Sequence, residues 1–274
     1  MLGLVLGGGA AKGYAHIGVI KVLEEENITP DLVVGASMGA LVGGLYAAGF
    51  GAQDLEKIAL KVDKKTKKWL FSLHLSKKGL VDGKNIIKYL TPYLGDKKIE
   101  ALPIKYASVA TDIEKGAEII INKGNLIKAI RASISIPVVF VPYRYKGRVL
   151  IDGGFVSPVP ITVAQKLGAK KIIAVNVLRR INYEQYEISS VTPTNKSHSI
   201  KKVFLDTVDF ATSRLIDYQI MHLKNGILMN IDTEGVGLSQ FEKAREAIEK
   251  GYEQTRRYRK ALARFRTQRI KRRK

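Results

Sequence analysis

The pentad Gly35-Ala36-Ser37-Met38-Gly39 sets a hydroxyl between two glycines. This is the G-x-S-x-G spacing of a nucleophile elbow, in which a tight strand-to-helix turn lifts a serine out of a sheet. Glycine is needed on either side because a Cβ there would collide across the turn. The placement agrees, since an apolar run at 32–34 precedes the pentad and a small-residue helix pattern follows it. Such a serine attacks only when a base takes its proton, and an acyl intermediate then needs N–H donors facing its oxyanion. The run Gly7-Gly8-Gly9-Ala10-Ala11-Lys12-Gly13 opens a helix pattern just after an apolar stretch, so its unpaired main-chain amides form an anion cradle. Its spacing fits neither G-x-G-x-x-G nor G-x-x-x-x-G-K-[ST], which argues against a nucleotide phosphate as the anion.

Several groups compete for the part of base. His16 precedes the serine within the first helix pattern and reads as a packing or surface residue, and His74 falls in a lysine-rich stretch. His198 and His222 follow in the order Ser, Asp, His of an α/β-hydrolase, but one lies in a polar stretch and the other near the end of a long helix pattern. Asp152, in RVLIDGGFVSPVP, stands just after an apolar strand pattern, with Gly153 and Gly154 letting the chain approach another loop. Reacting groups in open α/β sheets gather at such strand ends. A plain Asp-Gly-Gly turn is the alternative.

The elements that must carry these residues follow from periodicity. Strand patterns at 2–6 and 32–34, each followed by a helix pattern, predict a parallel sheet with helices on its faces. Residues 53–94 read as mostly helical and lysine-rich, an insertion over the sheet edge. Two strands at 104–121, a helix at 125–133 and strands at 138–141, 148–151 and 171–177 come next. The polar stretch 182–199 reads as a mobile loop, followed by a helix at 200–223, a strand at 226–232 and a last helix from Gln240 into a basic tail. The uncharged run from Leu32 to Phe50 is nearly as long as a membrane span, but its glycines and its β-rich first half fit strand, turn and helix better.

Composition narrows the classes. The chain has 274 residues and 46% hydrophobic content, enough for a real core. It has no cysteine, which excludes thiol catalysis, disulfides and thiolate metal sites and suits a reducing compartment. The first residues lack a basic stretch ahead of the apolar ones, so a cytoplasmic protein is expected. Net charge is +21, and Arg256–Lys274 alone holds eleven Lys or Arg and no acid. Such a segment favours an anionic membrane surface first, bare solubility second and nucleic acid third, because no nucleic-acid fold accompanies it. The lysines at 64–68 beside Trp69 form a second cationic run with an aromatic anchor, or simply a solvated helix face.

The pieces GGGAAKG, GASMG and DGG, in this order and with IRASISIPVVFVP at 130–142, resemble the patatin-like phospholipase family over roughly residues 2–167. The resemblance implies a three-layer α/β/α sandwich around a mostly parallel sheet. It implies a dyad of Ser37 as nucleophile and Asp152 as direct base, with no histidine, and the amides of Gly7, Gly8 and Gly9 as oxyanion hole. Lys12, Gly13, Gly35, Gly39, Gly153 and Gly154 support those motifs. The glycine loop is one residue longer than the family's compact pattern, which leaves the register of its amides open. The implied activity is hydrolysis of fatty-acyl esters of phospholipids or lysophospholipids without metal or cofactor, at a membrane that a cytoplasmic protein meets peripherally. The alternatives are a soluble thioesterase or carboxylesterase with the same dyad, and a non-catalytic basic protein that binds a membrane or RNA. The acyl hydrolase domain is expected at 1–250, with 251–274 as a basic helix or tail.

Overall fold

The computed structural model describes residues 1–72, 81–178 and 200–266, with the backbone alone at 200–206 and 209. His74, His198, the stretch 182–199 and the end of the tail from 267 lie outside the described residues. The first half of the chain runs β1 (Leu2–Leu6), α1 (Ala15–Glu25), β2 (Leu32–Ala36), α2 (Met38–Ala47), α3 (Ala52–Leu60), α4 (Lys64–Leu70) and α5 (Lys84–Leu94). Then come β3 (Lys105–Asp112), β4 (Ala117–Ile121), α6 (Leu126–Ser133), β5 (Tyr143–Tyr145), β6 (Arg148–Asp152) and α7 (Ile161–Lys166). The chain closes with β7 (Lys171–Asn176), α8 (Ile200–Met221), β8 (Gly226–Asn230), α9 (Ala244–Arg256) and α10 (Arg259–Leu262).

The eight strands form one sheet in the order β5-β6-β3-β2-β1-β7-β8, with β4 paired to β3. The run β3-β2-β1-β7-β8 is parallel, and β4, β5 and β6 add an antiparallel corner. Alternate side chains of each central strand enter two separate cores, as the two-residue period of a strand requires. Leu4, Leu6 and Val33 pack beneath α1, α2 and α6, while Val5, Leu32 and Val34 pack against α7 and α8. These are the three layers of an α/β/α sandwich.

Several local expectations change. Residues 138–141 form no strand: Phe140 makes only an isolated bridge to Val81, and Val138 sits at φ 69. Pro137 supplies no N–H to a ladder, which starts a turn where the β-branched composition suggested extension. Helices α3 and α5 join the helical layer against α1, α2, α6 and α9 instead of covering a sheet edge. The short strand β5 and the helix α7 carry too few periodic residues to be read from sequence. The uncharged run at 32–50 is strand, turn and helix, and among the described residues no helix is long and apolar enough to cross a membrane.

The chain after α8 is tied closely to its start. Helix α9 lies against α1 with two glycines at the crossing: a Cβ on Gly18 would fall 2.1 Å from the Ile248 carbonyl oxygen, and one on Gly251 2.0 Å from that of Ala15. Beyond α9, Leu262 and Phe265 are buried, Arg259 pairs with Glu25 at 2.6 Å, and Arg266 pairs with Glu26. Glycine to alanine inside a helix normally gains about 1 kcal/mol. Here Gly18→Ala and Gly251→Ala should each cost about 1–3 kcal/mol by overpacking, read by chemical denaturation. A gain in either variant would show that the two helices do not approach this closely.

Candidate active site

Ser37 is the one residue between β2 and α2. Its backbone stands at φ 52 and ψ −123, a region that costs on the order of 1–3 kcal/mol for a residue with a Cβ. Its neighbours are packed to hold it there: a Cβ on Gly35 would lie 2.4 Å from the Gly39 carbonyl oxygen, and one on Gly39 2.1 Å from that of Leu6. The Ser37 amide donates to Ser133 Oγ at 2.9 Å, and Ser133 Oγ donates to the Val109 carbonyl at 2.5 Å. The residue is 6% exposed and stands at the positive end of the α2 dipole.

Asp152 reaches the serine through strand register. β4 occupies one edge of β3, so β2 and β6 share the other. β2 runs parallel to β3 and ends with Ala36 opposite Val109, while β6 runs antiparallel and ends with Asp152 opposite Ala110. The two strands thus meet head-on along one edge. A Cβ on Gly153 would lie 2.1 Å from the Val109 carbonyl oxygen, so the chain can leave β6 at this point only as glycine. Ser37 Oγ donates to Asp152 Oδ2 at 2.6 Å, and the Gly154 amide donates to Oδ1 at 2.8 Å. The Asp152 amide donates to the Ser135 carbonyl at 3.0 Å, and Thr111 Oγ1 donates to the Asp152 carbonyl at 2.8 Å. Burial, with 4% of the residue exposed, pushes the carboxyl up to about 6, against the opposing pull of the Ser37 and Gly154 donors.

The glycine loop requires a correction. The Gly7 amide donates to the Val175 carbonyl at 3.0 Å and the Gly8 amide to the Pro158 carbonyl at 2.9 Å. An N–H already paired in the sheet ladder or to a neighbouring loop is not available to an incoming oxyanion. Ala11 and Lys12 amides are also taken, by Leu238 and Gly9 carbonyls. Among the described residues the amides of Gly9, Ala10 and Met38 donate to no acceptor. Gly8 still borders the site, because a Cβ on it would lie 3.4 Å from Ser37 Cβ. Gly13 lets the loop approach Met38 at the start of α2, where a Cβ would fall 2.4 Å from Met38 Cγ. Lys12 lines a separate depression with Val177 and Asn230–Gly235.

Four contributors carry no sequence signature. His16 is fully buried and its Nε2 lies 2.8 Å from the Gly7 carbonyl oxygen; burial pushes its imidazole down to about 4, so the neutral ring donates to that carbonyl and steadies the loop. Ser133 and Ser135, at the end of α6, each hold the backbone of one member of the pair. Arg131 is buried with Nη1 2.6 Å from Ser135 Oγ and Nη2 3.0 Å from the Asp82 carbonyl, which ties that end of α6 to the segment before α5. The stretch 130–142 shares in the family resemblance, but nothing in it announces which hydroxyl faces which amide. His222 is on an exposed stretch with Nδ1 2.8 Å from the Tyr218 carbonyl oxygen, outside the site.

A narrow cavity of about 100 Å³ opens on Ser37. Its walls are apolar, among them Leu41, Leu45, Leu90, Phe71, Phe140 and Phe241. Phe241 packs at a tilt against Phe71 with centroids 5.1 Å apart and meets Tyr14 edge-on at 6.1 Å, so a residue far beyond the motifs closes the wall. Among the described residues no group of three or more His, Asp or Glu is placed to hold a metal. The arrangement offers a hydroxyl touching a carboxylate of raised basicity, free amides at the start of two helices, and an apolar slot.

A family model described as patatin-like phospholipase matches residues 4–164. An uncharacterized NTE family protein of Mycobacterium tuberculosis is 39% identical over 174 residues, which is 64% of this chain and 48% of that protein. Neuropathy target esterase of Drosophila melanogaster is 36% identical over 181 residues, 64% of this chain and 13% of that one. Lysophospholipase NTE1 of Candida albicans is 34% identical over 179 residues, again 64% of this chain and 13% of that one. The matched region thus spans about half of the mycobacterial relative and a small part of the other two.

The raised carboxyl has a consequence for stability. The folded state holds the Asp152 proton more tightly than the unfolded chain does, so this group's contribution is present below about pH 4 and is lost as pH rises through about 6. Asp152→Asn should therefore match the parent near pH 4 and exceed it by about 1–3 kcal/mol above pH 7, measured by denaturant titration across that range. A difference that does not change with pH would show that the carboxyl ionises normally.

Proposed function

The chain belongs to the patatin-like phospholipase family, and on that premise we propose that it is a serine acyl hydrolase acting on fatty-acyl esters of phospholipids or lysophospholipids. The contact of Ser37 Oγ with Asp152 Oδ2 at 2.6 Å, with Ser37 lining an apolar cavity, carries this reading. As the hydroxyl oxygen bonds to the ester carbon, its proton passes to Asp152 and the carbonyl oxygen takes the negative charge. The amides of Gly9 and Ala10, with that of Met38, meet this charge; each such donor is typically worth ~3 to 4 kcal/mol. Asp152 then gives its proton to the departing alcohol oxygen, leaving the acyl group on Ser37. Water yields a proton to the same carboxylate and attacks the acyl carbon; the bond from that carbon to Ser37 Oγ then breaks, Asp152 returns the proton to Oγ, and the fatty acid leaves. A carboxyl near 6 is a stronger base than an ordinary aspartate and is still ionised at neutral pH.

The names of the relatives, an esterase and a lysophospholipase, agree with the acyl-ester reading. The apolar slot favours an alkyl chain over a polar acyl group. Beyond the hydrolase unit of residues 1–250 comes the basic segment 251–274, of which the residues through 266 lie on the α1 side, and that segment draws the protein to an anionic membrane surface.

Ser37→Ala and Asp152→Asn should each abolish hydrolysis of phospholipid and lysophospholipid while the fold is kept, with fatty-acid release as the assay. In the parent, kcat/KM should rise with pH through about 6 as Asp152 ionises. A folded Ser37→Ala chain with parental rates would reject the proposal, and a preference for acyl thioesters over both lipids would move the substrate class to a soluble thioesterase. Removing residues 267–274, which spares the buried Leu262 and Phe265, should weaken sedimentation with anionic vesicles, more so at low salt. Equal binding by the two chains would exclude the tail as an anchor.

A further inference from the structure

Two exposed apolar projections stand close in sequence to residues that line the Ser37 cavity. Trp69, at the end of α4, is 42% exposed although its main chain is fixed, its carbonyl accepting from Asn85 Nδ2 at 2.7 Å. Val138 and Val139 are 71% and 36% exposed at the tip of the turn after Pro137. That turn is fixed as well, with the Val81 amide donating to the Val139 carbonyl at 3.0 Å and the Val141 amide to the Val81 carbonyl at 2.9 Å. Both projections stand two residues from a cavity-lining aromatic, Phe71 and Phe140, whose ring centroids are 5.7 Å apart. Two residues of chain span at most roughly 7 Å, so the tryptophan and the valines both stand near the Phe71–Phe140 side of the cavity.

Val138 adds a second observation. It holds φ 69, a backbone region that a β-branched residue enters only under constraint. The strain is not offset by packing, because its side chain faces water. Strained residues of this kind gather at ligand clamps and switch regions. Beside the tryptophan, Lys64, Lys65 and Lys68 are exposed on α4, and Lys67 shares a surface depression with Lys64, Lys68 and Phe71 and pairs with Glu242 at 3.0 Å. An apolar tip ringed by ammonium groups matches the layering of a bilayer that carries anionic headgroups over an acyl interior.

We propose that Trp69 and the Val138-Val139 tip insert into an anionic lipid surface, with Lys64, Lys65 and Lys68 on its headgroups, so that the mouth of the Ser37 cavity faces the bilayer. This rests on the acyl-hydrolase reading only for the purpose of the orientation. Docking itself is measurable without catalysis.

The test uses the full chain carrying Ser37→Ala, sedimented with vesicles of phosphatidylcholine alone or mixed with phosphatidylglycerol. Trp69→Ser should lower partitioning onto the mixed vesicles about tenfold. Val138→Gly, which removes both the strain and the side chain, should lower it severalfold while melting no lower than the parent. Lys64→Gln, Lys65→Gln and Lys68→Gln together should cost on the order of a hundredfold and reduce the preference for phosphatidylglycerol. Trp69→Ser and Val138→Gly chains that sediment like the parent, or a parent that ignores the anionic lipid, would overturn the proposal. With Ser37 restored, the same two variants should hydrolyse a water-soluble short-chain ester at the parental rate. A parent inactive on that ester would defeat the acyl-hydrolase reading and leave the sedimentation result standing.

Discussion

β2 and β6 approach each other end to end along one edge of β3, and the chemistry of the molecule depends on that junction. Val109 faces Ala36 and its neighbour Ala110 faces Asp152, so a shift of one residue in either register would carry the serine or the carboxylate away. The turn at Ser37 and the glycine after Asp152 then bring Oγ and Oδ2 to 2.6 Å. Removing a carboxylate from water costs several kcal/mol, whereas each donor to it returns about 1.5–3 kcal/mol. Two donors, Ser37 and Gly154, oppose the loss of solvent here, and the carboxyl settles near 6 because desolvation wins by a small margin. The result is a base stronger than a solvated aspartate that still carries its charge at neutral pH.

The main-chain amides of the glycine loop are divided between structure and chemistry. Gly7 continues the ladder from β1 to β7, and Gly8 ties to Pro158, six residues beyond Asp152. The loop and the carboxylate are therefore fastened to the same stretch of chain, and His16 holds the Gly7 carbonyl from behind. Among the described residues the loop's unpaired amides are those of Gly9 and Ala10, three and four residues after β1 ends. The second half of the chain completes the site, since the Leu238 carbonyl fixes the Ala11 amide and Phe241 closes the cavity.

Positive charge is also divided. At the end of the chain Arg259 and Arg266 face Glu25 and Glu26, so part of the basic segment is neutralised against α1. On α4, Lys64, Lys65 and Lys68 are exposed, while Lys67 pairs with Glu242. Exposed pairs contribute little to folding, so the value of this distribution lies in the field it presents outward.

How much of this was written in the chain follows from the range of each interaction. The elbow at Ser37, the strand before it, the glycine loop and the Asp-Gly-Gly exit are local, because turn geometry, hydrophobic period and the absence of a Cβ act within a few residues; these were legible, and with them the layered α/β architecture. The stretch 138–141 was misread because β-branched composition signals extension while Pro137 and the pairing with Val81 decide otherwise. Which glycine amides stay free depends on carbonyls at 158 and 175, which hydroxyl steadies Ser37 depends on residue 133, and the neutrality of His16 depends on complete burial. The sequence by itself determined the types of group and the turns that present them. Only the tertiary structure decided their pairing, because a hydrogen bond is directional over about 3 Å while its partners lie tens to a hundred or more residues apart along the chain.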